Sequence, residues 1–177
     1  MRMINLATDA IKYPVGDYIV YNLPKIDEMY KVIIKLPEIK KFLSDKSKIY
    51  FRISLICSGS SGAIIASIIA SKLINDKIDV NILHVKKEGE DSHSGNKIKF
   101  FNNSFNIVVD DFICSGSTIR RIFNKVDEIC DKNKIHCVCI TDTVSPIMVE
   151  YFQENKLKYL ICKVPKKRDK YLDNPIF

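Results

Sequence analysis

The sequence has no long hydrophobic run, and its first residues do not predict a secretory leader. No stretch of its 177 residues approaches the uninterrupted apolar length of about 18 residues that marks a transmembrane helix. The first residues soon reach Asp9, Lys12 and Asp17, so we expect no secretory signal. We therefore expect no membrane partner. The length itself predicts one domain over residues 1–177.

The chain also has few arginines for its charge. The formal net charge is +7, yet only five of the 28 positive residues are arginines. Proteins that recognise bases in DNA grooves rely on bidentate arginine contacts, and the lysines here are scattered except near the C-terminus. A nucleic-acid partner is therefore disfavoured, although RNA binding through the positive charge stays open as a third alternative. The surplus fits a solvated surface that in part faces an anionic small ligand.

Paired C-x-x-C motifs are absent among the six cysteines. Cys137 and Cys139 lie in an apolar run, and Cys162 follows another, Leu160-Ile161. Cysteines in such runs behave as small buried hydrophobes, and a zinc site built from His136 and its neighbours would lack the usual ligand spacing. The pattern predicts reduced thiols and a cytoplasmic protein.

Short apolar segments alternate with amphipathic ones along the chain. Strands are predicted over 48–56, 80–85, 105–109, 135–141 and 157–164, and helices over 63–74, 119–130 and 146–154. This β-α-β order predicts a parallel α/β sheet with right-handed crossovers and a core of about residues 46–165. Nearer the N-terminus, residues 18–23 are predicted as a strand and 27–43 as a helix interrupted at Pro37.

The segment IVVDDFICSGST, residues 107–118, carries the clearest chemical signal. A buried strand ends in Asp110 and Asp111, and the turn Ser115-Gly116-Ser117-Thr118 then opens a helix. In an open α/β sheet, ligands bind at the carboxyl ends of the strands. The turn offers hydroxyls, backbone N–H groups and a helix N-terminus, which suit a phosphate. Because carboxylates repel phosphate, we expect them to hold sugar hydroxyls or a divalent cation.

This segment resembles the signature of the type I phosphoribosyltransferases. The resemblance implies a parallel sheet flanked by helices, with a small hood subdomain formed by the N-terminal region and the C-terminal tail. It also implies that Asp110 and Asp111 are catalytic and metal-binding, holding the ribose hydroxyls of phosphoribosyl pyrophosphate partly through water bound to Mg²⁺. The residues expected to bind the 5-phosphate end are Cys114, Ser115, Gly116, Ser117 and Thr118. Cys114 is expected to be a small filler rather than a nucleophile.

Two further segments match the family in the expected order. The turn at 57–62 corresponds to a pyrophosphate loop and contributes Cys57, Ser58, Gly59, Ser60 and Ser61. KKEGEDSHSG, residues 86–95, resembles the mobile loop of orotate- and adenine-type members. In it, Lys87 and His93 are expected to reach the pyrophosphate, with Lys87 as a catalytic electrostatic partner, and Lys86 is expected to bind phosphoribosyl pyrophosphate. His93 is expected to be a catalytic proton donor or hydrogen-bond donor.

The resemblance implies an Mg²⁺-dependent nucleobase phosphoribosyltransferase that binds phosphoribosyl pyrophosphate and a nucleobase and forms a homodimer. Base specificity stays open, because the mobile loop favours an orotate- or adenine-type enzyme. The C-terminal tail instead resembles the hypoxanthine/guanine group, with Lys163 and Val164 at the base. The loop at 58–62 has no Arg or Lys, where many members carry one. This departure leaves a second hypothesis, a weak or inactive relative that binds the same ligand or a nucleotide as a regulator.

Other readings of the acid pair and of the loops are weaker. Receiver domains place adjacent aspartates at their first strand and lack a Ser-Gly-Ser-Thr turn. Neither a Walker A loop nor a G-x-G-x-x-G motif occurs in the sequence.

Overall fold

The computed structural model describes residues 23–44, 52–87, 104–129, 135–141 and 143–162. Ten elements follow one another within these ranges, and after the two N-terminal helices strands and helices alternate except that β3 is the next described element after β2. They are α1 (Leu23–Ile34), α2 (Pro37–Ser44), β1 (Arg52–Ser58), α3 (Gly59–Asn75), β2 (Asp79–Val85), β3 (Ser104–Asp110), α4 (Ser117–Ile129), β4 (Ile135–Ile140), α5 (Pro146–Glu154) and β5 (Tyr159–Ile161).

The five strands form one parallel sheet in the order β2-β1-β3-β4-β5. Every residue of β3 is buried, as expected of a strand whose two faces are both covered by helices. The predicted parallel sheet is therefore confirmed. Strands β1 and β3 are neighbours, although β2 separates them in the chain, so the strand order reverses direction between them. Such a reversal leaves a crevice at the carboxyl ends of the two strands.

Two apolar clusters cover the two faces of the sheet. Residues of α1, α2 and α3 pack on one face, and residues of α4 and α5 pack on the other. The connection from β1 to β2 runs in the opposite direction to those from β3 to β4 and from β4 to β5. Right-handed crossovers therefore place α3 on the face opposite to α4 and α5.

The N-terminal helices join the same core as the sheet. Ile26, Met29 and Ile33 of α1 are buried in the cluster on the α3 face. Polar contacts add to this packing, since Lys72 donates to Asp27 Oδ1 at 2.9 Å. The helical conformation is interrupted between α1 and α2 just before Pro37, where the sequence predicted an interruption. The proposed hood would also need residues 1–22 and 163–177, which lie outside the described residues, so it stays a prediction.

One predicted turn is wrong, and other boundaries shift. Residues 57–58 complete β1, and residues 59–62 form the first turn of α3 rather than a loop before it. Gly62 explains the difference, because a Cβ there would lie 3.1 Å from Cys57 Cβ. Its hydrogen atom lets the helix approach the sheet one turn earlier. Strand β5 is shorter than predicted. Leu23, which was predicted to end a strand, begins α1 instead. The rest of that predicted strand, residues 18–22, and residues 48–51 lie outside the described residues.

Within the described residues, no helix is both long and apolar enough to cross a membrane.

Candidate functional site

The carboxyl ends of β1 and β3 bring the predicted phosphate and acid segments together. The two strands pair in register, with Ile56 beside Val108. Ser58, the last residue of β1, therefore ends level with Asp110, the last residue of β3. The segments 58–62 and 110–118 consequently lie at one edge of the sheet, at the crevice where the strand order reverses.

Asp110 is a buried carboxyl beside a second one. Its side chain is 7% exposed and accepts a hydrogen bond from the Asp111 N–H at 3.0 Å. Burial, followed by the negative charge of Asp111, raises the pKa of Asp110 to about 8. Among the described residues, no lysine or arginine forms an ion pair with either carboxylate. A proton or a bound cation would reduce the repulsion between the two neighbouring carboxylates.

The carboxylate oxygens of this pair suit a magnesium ion. Hard divalent cations bind oxygen ligands and are often held by one or two carboxylates together with substrate phosphates. Asp111 is half-buried, and its Oδ1 accepts the Phe112 N–H at 2.9 Å, so the carboxylate is positioned by the backbone. In the part of the chain that the structure describes, no group of three or more His, Cys, Asp or Glu side chains is arranged so that it could hold a metal ion by itself. The residues therefore fit a cation that receives its remaining ligands from substrate and water.

The chain after β3 is held in place by the segment after β4. The Thr141 hydroxyl donates to the Asp111 carbonyl at 3.0 Å. Ile113 N–H donates to the Thr143 carbonyl, and Ser145 N–H donates to the Ile113 carbonyl, both at 2.9 Å. Sequence reasoning missed these supporting residues. Their signal was a group of hydroxyl residues at the carboxyl end of the next strand, 141–145.

The turn before α4 carries the groups that are predicted to bind a phosphate. Gly116 has a φ of +76°, and a Cβ there would lie 2.0 Å from Met148 Sδ, so this position requires glycine. Ser115 and Ser117 are exposed, and Ser117 N–H points to Ser115 Oγ at 3.4 Å. Helix α4 begins at Ser117, which places the positive end of its dipole at this turn. Hydroxyls and backbone N–H groups thus converge as a phosphate site needs.

A lysine lies over the turn that follows β1. Gly59 has a φ of +72°, and a Cβ built there would lie 3.5 Å from Lys87 Cε and 3.7 Å from its Nζ. The structure therefore brings Lys87, which leaves β2, to the predicted pyrophosphate loop. Lys86 beside it is half-buried. Ser60 lies exposed on the first turn of α3.

Some predicted site residues do not lie in this arrangement. His93, Lys163 and Val164 fall outside the described residues, and their roles stay predictions. Cys114 is exposed, so its thiol does not fill the core. Cys57 is buried next to the acid pair, and burial, followed by the Asp110 charge, raises the pKa of its thiol to about 12.

Sequence reasoning missed Arg121 of α4. Its Nη1 lies 3.5 Å from Ser58 Oγ at the end of β1. The two residues are 63 positions apart in the chain, and an arginine early in a helix carries no pattern that points to a distant strand.

The burial of Asp110 predicts an unusual dependence of stability on pH. A carboxyl whose pKa is raised in the folded state loses stability as pH rises from its unfolded value, 3.8, to its folded value, about 8. Asp110→Asn is therefore expected to gain stability relative to the natural protein as the pH rises from 4 to 8, because the amide has no charge to bury. Urea unfolding from pH 4 to pH 9 in the presence of EDTA measures this, and a difference that does not change with pH would contradict it.

The strand order, the acid pair and the helix-opening turn together define a fold class. The chain has the type I phosphoribosyltransferase fold, and the predicted fold is confirmed. It is similar to adenine phosphoribosyltransferase from Saccharomyces cerevisiae complexed with adenine and an imino-altritol bisphosphate. That match has a TM-score of 0.51 at 16% identity and covers 78% of this chain and 76% of the yeast chain.

Two further solved structures match less well. The hypoxanthine-guanine enzyme of Leishmania tarentolae in complex with GMP has a TM-score of 0.46 at 13% identity, covering 76% of this chain and 75% of that one. Hypoxanthine phosphoribosyltransferase of Trypanosoma cruzi with its product IMP has a TM-score of 0.47 at 9% identity, covering 72% and 71%. No protein-family profile and no curated protein matches the sequence.

Proposed function

We propose that the protein is an Mg²⁺-dependent nucleobase phosphoribosyltransferase. It transfers the 5-phosphoribosyl group from phosphoribosyl pyrophosphate to a pyrimidine (orotate-like) or purine base and releases pyrophosphate. The observation that carries the proposal is that the strand order and register bring the Asp110–Asp111 pair to the same crevice as 58–62 and 115–118, the two segments predicted to bind anions. A ribose that bears a phosphate at one end and a pyrophosphate at the other would span these segments.

The reaction develops opposite charges on the ribose and on the leaving pyrophosphate. The bond from the anomeric carbon to the pyrophosphate oxygen breaks, a bond from that carbon to a ring nitrogen of the base forms, and the proton of that nitrogen is released to water. Positive charge develops on the ribose and negative charge on the leaving group. Stabilising a departing polyanion requires fixed cations and N–H donors. Lys87, which lies over Gly59, meets this need in our proposal.

Asp110 and Asp111 would hold the magnesium ion and the ribose hydroxyls. When bound, the ion supplies charge neutralisation for the pyrophosphate. The buried, uncompensated carboxyl of Asp110 supports this role, because a cation would favour its ionised form. Ser115, Ser117 and Thr118 would bind the 5-phosphate through hydroxyls and the N-terminal N–H groups of α4.

The remaining assignments stay proposals. His93 is proposed to donate a proton or a hydrogen bond to the leaving group, and Lys163 and Val164 are proposed to contact the base. A homodimer is proposed as the assembly. All five described cysteines are free thiols, which supports the proposed reducing, cytoplasmic setting.

A second candidate is a regulator that binds phosphoribosyl pyrophosphate or a nucleotide without turnover. The specific observation in its favour is that residues 58–62 contain no charged side chain. This hypothesis and the first agree on the ligand and differ only in turnover.

One experiment separates the two candidates. Pyrophosphate release is measured with phosphoribosyl pyrophosphate, Mg²⁺ and each of orotate, uracil, adenine, hypoxanthine, guanine and xanthine. Release with one of these bases is the expected result and eliminates the regulator. Binding of phosphoribosyl pyrophosphate without release from any base would support the regulator, and no binding at all would contradict both.

A further inference from the structure

We propose that Arg121 is a pyrophosphate-binding residue that supplies, from α4, the cation missing from the segment after β1. This inference rests on the proposed function and adds to it a residue outside the sequence signature. Arg121 lies on the helix that follows β3, whereas the segment that it would serve follows β1. Its side chain reaches the end of β1, where its Nη1 lies 3.5 Å from Ser58 Oγ.

The contact between Arg121 and Ser58 locates the guanidinium. Its Nη1 donates to Ser58 Oγ at 3.5 Å, and Ser58 is buried at the end of β1 while Arg121 is half-buried. Ser58 is also the N-cap residue of α3, yet its side chain makes no capping hydrogen bond in that helix. The hydroxyl that would cap the helix faces Arg121 instead. The first N–H groups of α3 are thus left without a capping side chain, as an anion site requires.

One hydrogen bond to a neutral hydroxyl compensates poorly for the partial burial of the charged Arg121 guanidinium. At 3.5 Å the contact is longer than the usual 2.7–3.2 Å or so of an N–H···O hydrogen bond. Guanidinium carries five N–H donors in a planar fork that matches pairs of phosphate oxygens. Within the described ranges, Ser58 is the one hydrogen-bond partner of Arg121. An anion at the end of β1 would use donors that the hydroxyl does not.

The positive charges next to the turn after β1 belong to residues outside that turn. Lys87 lies over Gly59, and Arg121 reaches Ser58. Two cations therefore lie next to residues 58–59, which carry no charge of their own. Pyrophosphate bears several negative charges at neutral pH, and two cations would compensate more of them than Lys87 alone.

Arg120 provides a matched control on the same helix. Its side chain is exposed, and its guanidinium lies 4.4 Å from the centre of the Tyr151 ring on α5. Removing Arg120 changes the net charge by the same amount as removing Arg121. The control therefore separates a local contact with the ligand from a general loss of positive charge.

The test measures two ligands separately by calorimetry, namely pyrophosphate with Mg²⁺ and ribose 5-phosphate. Arg121→Gln is expected to weaken pyrophosphate binding by about 10- to 100-fold, the usual range for a charge-assisted hydrogen bond. Affinity for ribose 5-phosphate is expected to change by no more than about 2-fold, as for an independent site. Arg121→Lys is expected to recover part of the pyrophosphate affinity, and Arg120→Gln to match the natural protein.

Each other outcome contradicts a particular claim. Natural pyrophosphate affinity in Arg121→Gln would overturn the role of Arg121 and leave the proposed function standing. Equal losses for both ligands in Arg121→Gln and Arg121→Lys would indicate a merely structural role and also overturn it. If the natural protein bound neither ligand, the proposed function would fail, and this inference would fail with it.

Discussion

Replacing both carboxyls of the acid pair, Asp110→Asn with Asp111→Asn, is expected to abolish turnover. We expect kcat/KM to fall by about 1,000-fold or more, the scale of losing a main electrostatic element of an active site. The amides retain carbonyl oxygens that can accept the N–H groups of residues 111 and 112, so the local backbone is expected to persist. They lose the charge that would hold magnesium and the ribose hydroxyls. Pyrophosphate release with the base found in the panel measures the effect.

A second pair of carboxylates controls for charge alone. Glu150 and Glu154 lie exposed on α5, and Glu150→Gln with Glu154→Gln alters the net charge equally. This variant is expected to keep natural activity. Near-normal turnover in the double aspartate variant would overturn the proposed function, because no other described pair of acids lies at this crevice.

Gly116→Ala is expected to be the most destabilising single change at the site. The position has a φ of +76°, and the added Cβ would lie 2.0 Å from Met148 Sδ. A left-handed backbone costs about 1–2 kcal/mol, and forcing a methyl group into a packed site costs about 1–3 kcal/mol. The free energy of unfolding is therefore expected to fall by about 2–5 kcal/mol, the sum of the two costs. Urea unfolding measures the loss.

Gly59→Ala is the matched control for this prediction. Gly59 also has a positive φ, +72°, but among the described residues a Cβ there would meet only the Lys87 side chain at 3.5–3.7 Å, an ordinary contact. We expect it to lose only the backbone part. The double variant Gly116→Ala with Met148→Ala is expected to lose less free energy of unfolding than the sum of the two single variants, because the clash between the added Cβ and Met148 Sδ disappears. Equal losses at Gly59 and Gly116 would contradict the role of Met148.

Much of the fold could be predicted because its signals are local. The run Ile107-Val108-Val109 is apolar on both faces, so it predicted a covered strand, and β3 is buried throughout. The alternation of such runs with helical periodicity predicted the parallel sheet. The acids lie at the end of β3 and the turn follows shortly after them in the sequence, so the segment predicted to bind phosphate and a cation could be found without coordinates.

The rest could not be predicted because it depends on contacts between distant residues. Arg121 meets Ser58 only because α4 and the end of β1 are neighbours in space. Thr141 and Ser145 support the turn after β3 from a different strand end. The early start of α3 was missed for a related reason. Gly and Ser favour loops locally, whereas Gly62 here permits close packing of a helix on the sheet.

The adjacency of β1 and β3 also bears on the distance between the two segments proposed to bind anions. Neighbouring strands lie about 4.8 Å apart because backbone hydrogen bonds set the distance. The spacing of the two strand ends is therefore largely independent of side-chain identity. Substitutions in the helices, and changes of length between β2 and β3, would leave that spacing intact. In the proposed function, the backbone would thus set the distance between the groups that hold the two charged ends of the ligand.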